Sequence, residues 1–141
     1  MIFLDTDVAS ELLRQRPHPA VGAWSKATPH EEICVASVVE AELRAGIERL
    51  PDGRRKRTFG RDLDLCIEST LGNRVVPFDR AAARFYAEFL AARDRAGRPV
   101  GGPDALLAAT ARAHGATLLA TRNTKNFDGC GVAFANPWET T

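Results

Sequence analysis

The chain has 141 residues, of which 45% are apolar and 26% are charged, and its formal net charge at pH 7 is +1. This length predicts a single domain, residues 1–141, with its own hydrophobic core, and the composition is that of an ordinary globular protein. No apolar run approaches the roughly 20 residues that span a membrane, so we expect no membrane association, whereas the charge balance neither requires nor excludes nucleic acid.

The first half of the chain alternates between strand and helix patterns. The short apolar run Ile2–Leu4 predicts a buried strand that leads directly into Asp5. Apolar residues at helical spacing follow, and we expect Asp7 to be the N-cap of that helix. The other elements expected here are a short helix over residues 18–27, a strand over 33–36 and a helix from Ser37 through Glu42 to about residue 50.

The second half continues the alternation. A helix is expected over residues 54–71, a strand over 74–78, a helix capped by Asp79, a loop over 96–103, a buried helix over 104–114, a strand over 117–120 and an edge strand over 132–134. Alternating strands and helices predict an α/β protein whose sheet is covered on both faces. We therefore expect a three-layer α/β/α architecture around a mostly parallel sheet of four to five strands, with the carboxyl ends of the strands along one edge.

Three acidic residues occur where such a sheet would bring them together. Asp5 follows the first strand, and ligands of open α/β sheets bind outside the carboxyl ends of the strands. Asp104 lies in the first turn of the buried helix, and Glu42 falls on the apolar side of its own helix, where an acid is costly unless it is paired or binds a cation. Plain structural roles stay open for each: a cap or turn for Asp5, a buried salt bridge for Glu42 and a helix-dipole interaction for Asp104.

A cluster of carboxylates is unfavourable without a cation because the like charges repel one another. Since neither histidine nor cysteine joins these acids, the expected ion is Mg2+, with Mn2+ as a plausible substitute, in octahedral oxygen coordination. Such an ion can activate water and neutralise charge on a phosphoryl group. The chemistry implied is phosphodiester hydrolysis.

Five segments together resemble the PIN-domain family, and most of all the VapC-type toxin ribonucleases of bacterial type II toxin–antitoxin systems. In chain order they read IFLDTD, VVEAELRAGI, VVPFD, RAGRPVGGPDALLAATA and LLATRNTKNF. The resemblance covers essentially the whole chain. It implies a compact α/β/α fold, a Mg2+-dependent endoribonuclease activity, a homodimer and inhibition by a cognate antitoxin protein.

The resemblance also implies roles for individual residues. Asp5, Glu42 and Asp104 match the first three acids of the family and are expected to be catalytic residues that bind the metal. Thr6 matches a polar residue that usually lies beside the first acid, and we expect it to contact the substrate.

Two positions depart from the family pattern. Where many PIN domains carry a fourth acid, this chain offers Asn123, which we interpret as a neutral catalytic partner; Asn126 and Asp128 remain alternatives. Asp7 stands where many VapC-like chains have asparagine. We interpret Asp7 as the helix cap, with a further carboxylate in the site as the alternative.

Arginines supply candidate contacts to RNA phosphates. Arg93, Arg95 and Arg98 flank the loop before the buried helix, and Arg122 follows the strand over 117–120. Of these, Arg93, Arg98 and Arg122 are the expected substrate-binding residues. The run Arg54–Arg57 could also bind phosphates through its charge, but a solvated helix start or a surface facing an antitoxin explains it equally well.

Two other functions stay open. The opening Asp5-Thr6-Asp7-Val8 also resembles the first motif of haloacid-dehalogenase-type phosphatases, in which Asp5 would be the nucleophile and Asp7 the general acid/base. The substitution Asp7→Asn should abolish such a phosphatase and be tolerated by a PIN nuclease. The third possibility is a degenerate PIN module that binds RNA or protein without catalysis and need not bind Mg2+.

The expected partners are an RNA substrate, an antitoxin and a second copy of the chain. Transfer, ribosomal and messenger RNA are all cut by members of the family, and the sequence does not distinguish among them. Trp24, Phe59 and Leu63 are candidates for an exposed dimer interface.

The cysteine pattern bears on the cellular compartment. The chain has three widely spaced cysteines, which form neither a disulfide framework nor a metal-binding pair. We expect free thiols and, because the N-terminus lacks a basic segment followed by a long apolar one, a cytoplasmic location.

Overall fold

The computed structural model describes residues 1–139 and contains a five-stranded sheet in which every neighbouring pair of strands is parallel. The strand order across the sheet is β3-β2-β1-β4-β5. The strands are β1 (Ile2–Leu4), β2 (Ile33–Ala36), β3 (Val75–Val76), β4 (Leu118–Ala120) and β5 (Phe134–Ala135). The predicted α/β class and parallel sheet are confirmed.

The first strand of the chain is the central strand of the sheet. Phe3 pairs with Cys34 of β2 on one side and with Leu119 of β4 on the other, and all three side chains are fully buried. A strand covered on both faces has no solvent side, which is why these strands read as continuous apolar runs. Every strand therefore ends on the same edge, where polar residues follow β1 and β4.

Six helices cover the sheet and form the outer layers of the three-layer α/β/α fold. They are α1 (Thr6–Leu12), α2 (Pro19–Ala27), α3 (Ser37–Glu48), α4 (Arg54–Leu65), α5 (Arg80–Arg95) and α6 (Gly102–Ala113). Short helical turns also occur at His30–Glu32, Cys66–Thr70 and Thr124–Phe127. Within residues 1–139, none of the helices has both the length and the apolar character needed to cross a membrane.

The α6 helix is the most deeply buried helix, as its apolar sequence predicts. Six of its residues, from Ala105 to Ala111, are buried, and it packs along α5. Burial of α6 fixes the position of its N-terminus relative to the sheet, so the residue in its first turn is held by the core rather than by a loop.

Local details correct two predictions and confirm others. Asp79 is the N-cap of α5 as predicted, since its carboxylate accepts a hydrogen bond from the backbone N–H of Ala82 at 3.0 Å. The N-cap of α1 is Asp5 and not Asp7, so the prediction for Asp7 is wrong. Leu63 is only 2% exposed and belongs to the core, which removes it from the candidate interface residues. All three cysteines are free thiols, as expected.

Candidate functional site

Asp5 is held at the carboxyl end of β1 by two hydrogen bonds. One carboxylate oxygen caps α1 by accepting from the backbone N–H of Val8 at 2.9 Å, and the other accepts from the hydroxyl of Thr121 at 2.6 Å. Thr121 directly follows β4, the neighbouring strand, and it is fully buried. Both oxygens of Asp5 therefore have fixed directions.

The carboxyl group of Asp5 is difficult to ionise. Asp5 is only 5% exposed, and burial raises the pKa of its carboxyl group from 3.8 to about 6. The hydrogen bonds from Thr121 and Val8 oppose this rise, while the negative charges of Asp7 and Asp104 add to it. The carboxylates of Asp7 and Asp104 are therefore close enough to Asp5, at the same sheet edge, to affect its ionisation.

Asp104 enters the site from the first turn of α6. Its carboxylate accepts a hydrogen bond from the side-chain amide of Asn126 at 3.0 Å. Burial raises the pKa of Asp104, the bond from Asn126 opposes that rise, and the charges of Glu42 and Asp7 add to it. Asp104 is therefore in the electrostatic field of two other acids that belong to α1 and α3.

Glu42 comes to the site from the surface of α3. The wheel argument placed it on the apolar side of the helix, but the residue is exposed, so that part of the prediction is wrong. Its carboxylate accepts a hydrogen bond of 2.6 Å from the hydroxyl of Thr6, the first residue of α1. Thr6 therefore orients Glu42 at the edge of the acidic cluster.

Asp7 and Asn123 form a second exposed pair. The side-chain amide of Asn123 donates to the carboxylate of Asp7 at 3.2 Å, and its backbone N–H donates to the Thr121 hydroxyl at 3.0 Å. Because Asp7 contributes to the raised pKa of both Asp5 and Asp104, it belongs to the acidic cluster. The alternative reading of Asp7, as a further carboxylate beside the site, fits this geometry.

Four carboxylates thus gather at one sheet edge, and none of them forms an ion pair with any residue in the described range 1–139. Their hydrogen-bond partners are neutral hydroxyl, amide and backbone groups. No three acidic, histidine or cysteine side chains in that range converge closely enough to form a complete metal cage. The arrangement is a cluster of negative charge whose carboxylate oxygens are oriented by neutral donors.

Comparison with protein families matches residues 2–129 to the PIN domain. The chain belongs to the PIN-domain family. Among curated PIN-domain relatives, VapC ribonuclease Y4jK of Sinorhizobium fredii is 41% identical over 99% of both chains. Toxin FitB of Neisseria gonorrhoeae is 36% identical over 98% of this chain and 99% of its own.

Solved structures agree with this PIN-domain assignment. The crystal structure of FitAcB from Neisseria gonorrhoeae has a TM-score of 0.90 and 35% identity, and the match covers 99% of this chain and 100% of that one. The structure of FitAB bound to an IR36 DNA fragment has a TM-score of 0.91 and 33% identity over 100% of this chain and 98% of that one. The chain therefore has the same fold as the matched chains of the FitAcB and FitAB structures.

The predicted substrate-binding arginines of this PIN domain differ in their surroundings. Arg93 is 8% exposed, and its guanidinium donates to the backbone carbonyls of Arg98, Lys125 and Asp128 at 2.6, 3.1 and 3.0 Å. This corrects the expectation that Arg93 contacts substrate: its donors hold two loops together. Arg98 is exposed and pairs with the Asp128 carboxylate at 3.1 Å, so the exposed Asp128 is the one alternative for the fourth acidic position that has a cationic partner within residues 1–139.

Arg122 remains available near the PIN-domain site. It is exposed, and its guanidinium carbon lies 4.5 Å from the centre of the Trp138 ring. Such a cation–π contact restrains the guanidinium while leaving its edge free to donate hydrogen bonds.

Sequence reasoning gave no role in the nuclease to Thr121 and preferred Asn123 to Asn126. The structure instead brings Thr121 onto Asp5 and Asn126 onto Asp104. The only signal for Thr121 was its position directly after an apolar strand next to β1. Asn126 was recognised as an alternative because it lies in the segment after β4.

Proposed function

We propose that this PIN domain is a metal-dependent endoribonuclease that hydrolyses RNA phosphodiester bonds and acts as the toxin of a toxin–antitoxin pair. The observation that carries the proposal is the group of uncompensated carboxylates at the end of β1, within a chain matched to the PIN domain over residues 2–129. Relatives named as a VapC ribonuclease and a toxin support the same activity.

The acidic cluster fits a hard divalent cation. Asp5, Glu42 and Asp104 would hold Mg2+, with Mn2+ as a substitute, because their charges are balanced by no neighbouring cation in residues 1–139. Mg2+ keeps several waters and commonly binds through only one or two carboxylates, so it does not require three side chains to meet at one point. When bound, the ion would lower the pKa of a coordinated water and neutralise charge on a phosphoryl group.

The neutral hydrogen-bond partners of the acids orient their carboxylates. Thr121, Asn126 and Thr6 each donate one hydrogen bond to an acid, which fixes one oxygen of Asp5, Asp104 and Glu42 and leaves other lone pairs free. Asn123 holds Asp7 in the same way. We assign the binding of RNA near the cleaved bond to Thr6, Arg98 and Arg122.

The proposal includes an antitoxin partner and a homodimer. Two solved neighbours above 30% identity are named FitAcB and FitAB, and the second of these is bound to DNA. Trp24, which is half-buried, remains a candidate for contacts between copies of the chain, whereas Phe59, also half-buried, lines a groove beside α4.

The first test is cleavage of purified total transfer RNA by the isolated protein. One more distant relative, 27% identical, is named tRNA(fMet)-specific endonuclease VapC of Shigella flexneri, which makes transfer RNA the natural first substrate. We expect discrete fragments with Mg2+, none with EDTA, and at least a hundredfold loss for Asp104→Asn, since removal of one group that stabilises a transition-state charge costs about that much. Asp94→Asn is the matched control, because Asp94 is an exposed acid on α5 without an ion pair in the described range.

Cleavage that survives both EDTA and Asp104→Asn would come from a contaminant and would contradict the proposal. A second function, binding without catalysis, is favoured by one observation: the residues after β4 that reach the acids, Asn123 and Asn126, are amides and not carboxylates. Titration with Mn2+ separates the two. Unchanged Mn2+ affinity in both Asp5→Ala and Asp104→Ala would rule out the catalytic function and leave the binding module.

A further inference from the structure

A groove beside α4 has no part in the site described so far. It is a cavity of about 600 Å3 between the end of α1 and the first two turns of α4. Its charged and aromatic lining consists of Arg14, Arg54, Arg55, Arg61, Asp62 and Phe59. We propose that this α4 groove binds RNA phosphates on one side of the cleaved bond, an inference that rests on the proposed ribonuclease function.

Three of the four arginines of the α4 groove are not neutralised, whereas the fourth, Arg14, pairs with Glu11 at 3.6 Å. Arg54, Arg55 and Arg61 are exposed, and no carboxylate in residues 1–139 lies within 4.0 Å of their guanidinium nitrogens. Lys56 of the same helix differs, since it pairs with Asp52 at 3.2 Å. Planar guanidinium groups that have no carboxylate partner suit phosphate, which they bind through two parallel hydrogen bonds.

The α4 groove connects to the acidic cluster. A second cavity, of about 290 Å3, is lined by Thr6 and Glu42 and also by Leu13, Arg55 and Phe59, three residues that line the α4 groove as well. The two cavities therefore adjoin, and the path along their shared wall leads from the hydrogen-bonded pair Thr6–Glu42 to the unpaired arginines.

The chemistry of this path favours RNA as its occupant. A negatively charged strand with a phosphate at the acidic cluster would place flanking phosphates among the arginines, where their charge is attractive. Phe59 is half-buried beneath the guanidinium of Arg55, whose carbon lies 5.6 Å from the ring centre. This cation–π contact restrains the guanidinium and leaves its edge free to donate to a phosphate. The Arg54–Arg57 run, for which the sequence left several roles open, thereby gains a function for two of its members.

The test measures binding and not cleavage, so it does not depend on the nuclease activity. The full chain is titrated into fluorescein-labelled bulk transfer RNA in EDTA, and anisotropy is recorded at several KCl concentrations. We expect the triple variant Arg54→Gln/Arg55→Gln/Arg61→Gln to bind about tenfold more weakly and to reduce the slope of log affinity against log salt by about 2–3, since each lost phosphate contact removes about 0.7–0.9.

The matched control removes the same charge elsewhere. Lys26, Arg80 and Arg84 are exposed basic residues that do not line the α4 groove, and the triple Gln variant at these positions should change affinity by less than about twofold. In the opposite direction, Asp62→Asn removes the only carboxylate that lines the groove within residues 1–139 and should tighten binding about twofold. A purely structural role for this region would not produce that gain.

Each outcome bears on one claim. If the groove triple keeps wild-type affinity and salt slope, the inference is overturned and a protein partner becomes the better occupant. If the groove triple loses affinity but Asp5→Ala and Asp104→Ala both keep wild-type affinity for Mn2+, the groove stands as an RNA-binding surface and the proposed nuclease function falls. Urea unfolding of each variant confirms that the comparison is between folded proteins.

Discussion

Each acid of the site has its own neutral hydrogen-bond donor. Thr121 serves Asp5, Asn126 serves Asp104 and Thr6 serves Glu42. A cationic partner would orient a carboxylate equally well but would cancel its charge, whereas a hydroxyl or amide fixes the oxygen and leaves the charge in place. The donors therefore preserve the negative potential on which cation binding depends.

The contact from Asn126 to Asp104 predicts a shift in the pH profile. Because this hydrogen bond lowers the pKa of Asp104, Asn126→Ala should raise that pKa. The acidic limb of log kcat/KM for RNA cleavage should move to higher pH, and activity near neutral pH should fall about tenfold, the value of roughly one charged hydrogen bond.

Asn123→Ala provides the control for this pH profile, since Asn123 donates to Asp7 and not to Asp104. It should leave the acidic limb where it is in the wild type. An unchanged limb in Asn126→Ala as well would mean that its contact with Asp104 does not serve the reaction.

Candidate acids could be selected from the sequence, but their hydrogen-bond partners could not. Asp5 follows the first strand and Asp104 lies in the first turn of the buried helix, whereas Glu42 was selected by a wheel argument that its exposure contradicts. Thr121 lies 116 residues from Asp5, and only the pairing of β1 with β4 brings them together. The N-cap of α1 was misassigned because Asp5 and Asp7 both have a capping side chain, and only the backbone conformation separates them.

At the scale of elements, Arg93 joins the end of α5 to the segment after β4. Its guanidinium donates to three backbone carbonyls, those of Arg98, Lys125 and Asp128. One of these loops precedes α6 in the chain, and the other follows β4. The first contains Arg98, which we assign to RNA binding, and the second contains Asn126, which donates to Asp104. Arg93 thus stabilises the region of the site without touching it.

Replacement of Arg93 should destabilise the fold. In Arg93→Met the apolar stem is kept but three carbonyls lose their donor, so we expect the free energy of unfolding to fall by about 2–4 kcal/mol. Urea unfolding monitored by circular dichroism measures this change in the free energy of unfolding. Arg98→Ala, which breaks only an exposed ion pair, should cost less than about 1 kcal/mol. Equal effects of the two substitutions would contradict this role for Arg93.

Strand bounds were predictable where the strand is central and less so at the edges. The expected strand over residues 33–36 is β2 itself, because a strand paired on both sides is apolar throughout. The strand expected over 74–78 is reduced to Val75–Val76. It lies at the edge of the sheet, and Pro77, which has no N–H, cannot extend the ladder.

At the scale of the whole molecule, the net charge of +1 conceals a separation of charge. Carboxylates gather at the end of β1, and unpaired arginines gather beside α4. Concentrating like charges costs stability, which the rest of the fold must supply. Total charge therefore gave no information on nucleic-acid binding, because the two surfaces cancel in the sum.

The burial of Asp5 should make global stability fall as pH rises. Its folded pKa of about 6 exceeds the ordinary value of 3.8, so protonation favours the folded state. This stabilisation is fully present below the unfolded pKa and is lost as pH rises through the folded pKa. Between pH 4 and pH 7 the loss should be on the order of 2–3 kcal/mol in the absence of metal.

The measurement compares the wild type with Asp5→Asn in urea at several pH values, with EDTA throughout. Asparagine keeps a cap for α1 but cannot ionise, so the difference in free energy of unfolding isolates the titration of Asp5. The advantage of Asp5→Asn should grow from pH 4 to pH 7 and then level off. If the difference between the two free energies of unfolding does not change with pH, the pKa of Asp5 is not raised in the folded protein and the prediction is wrong.

The central place of β1 has a consequence for synthesis. Asp5 is made 116 residues before Thr121, whose hydroxyl orients it, and β4, which completes the pairing of β1, spans Leu118–Ala120. A nascent chain that ends before Leu118 therefore leaves β1 without one neighbouring strand and Asp5 without its hydroxyl donor. A message that is broken before that codon yields a chain in which this edge of the sheet is not assembled.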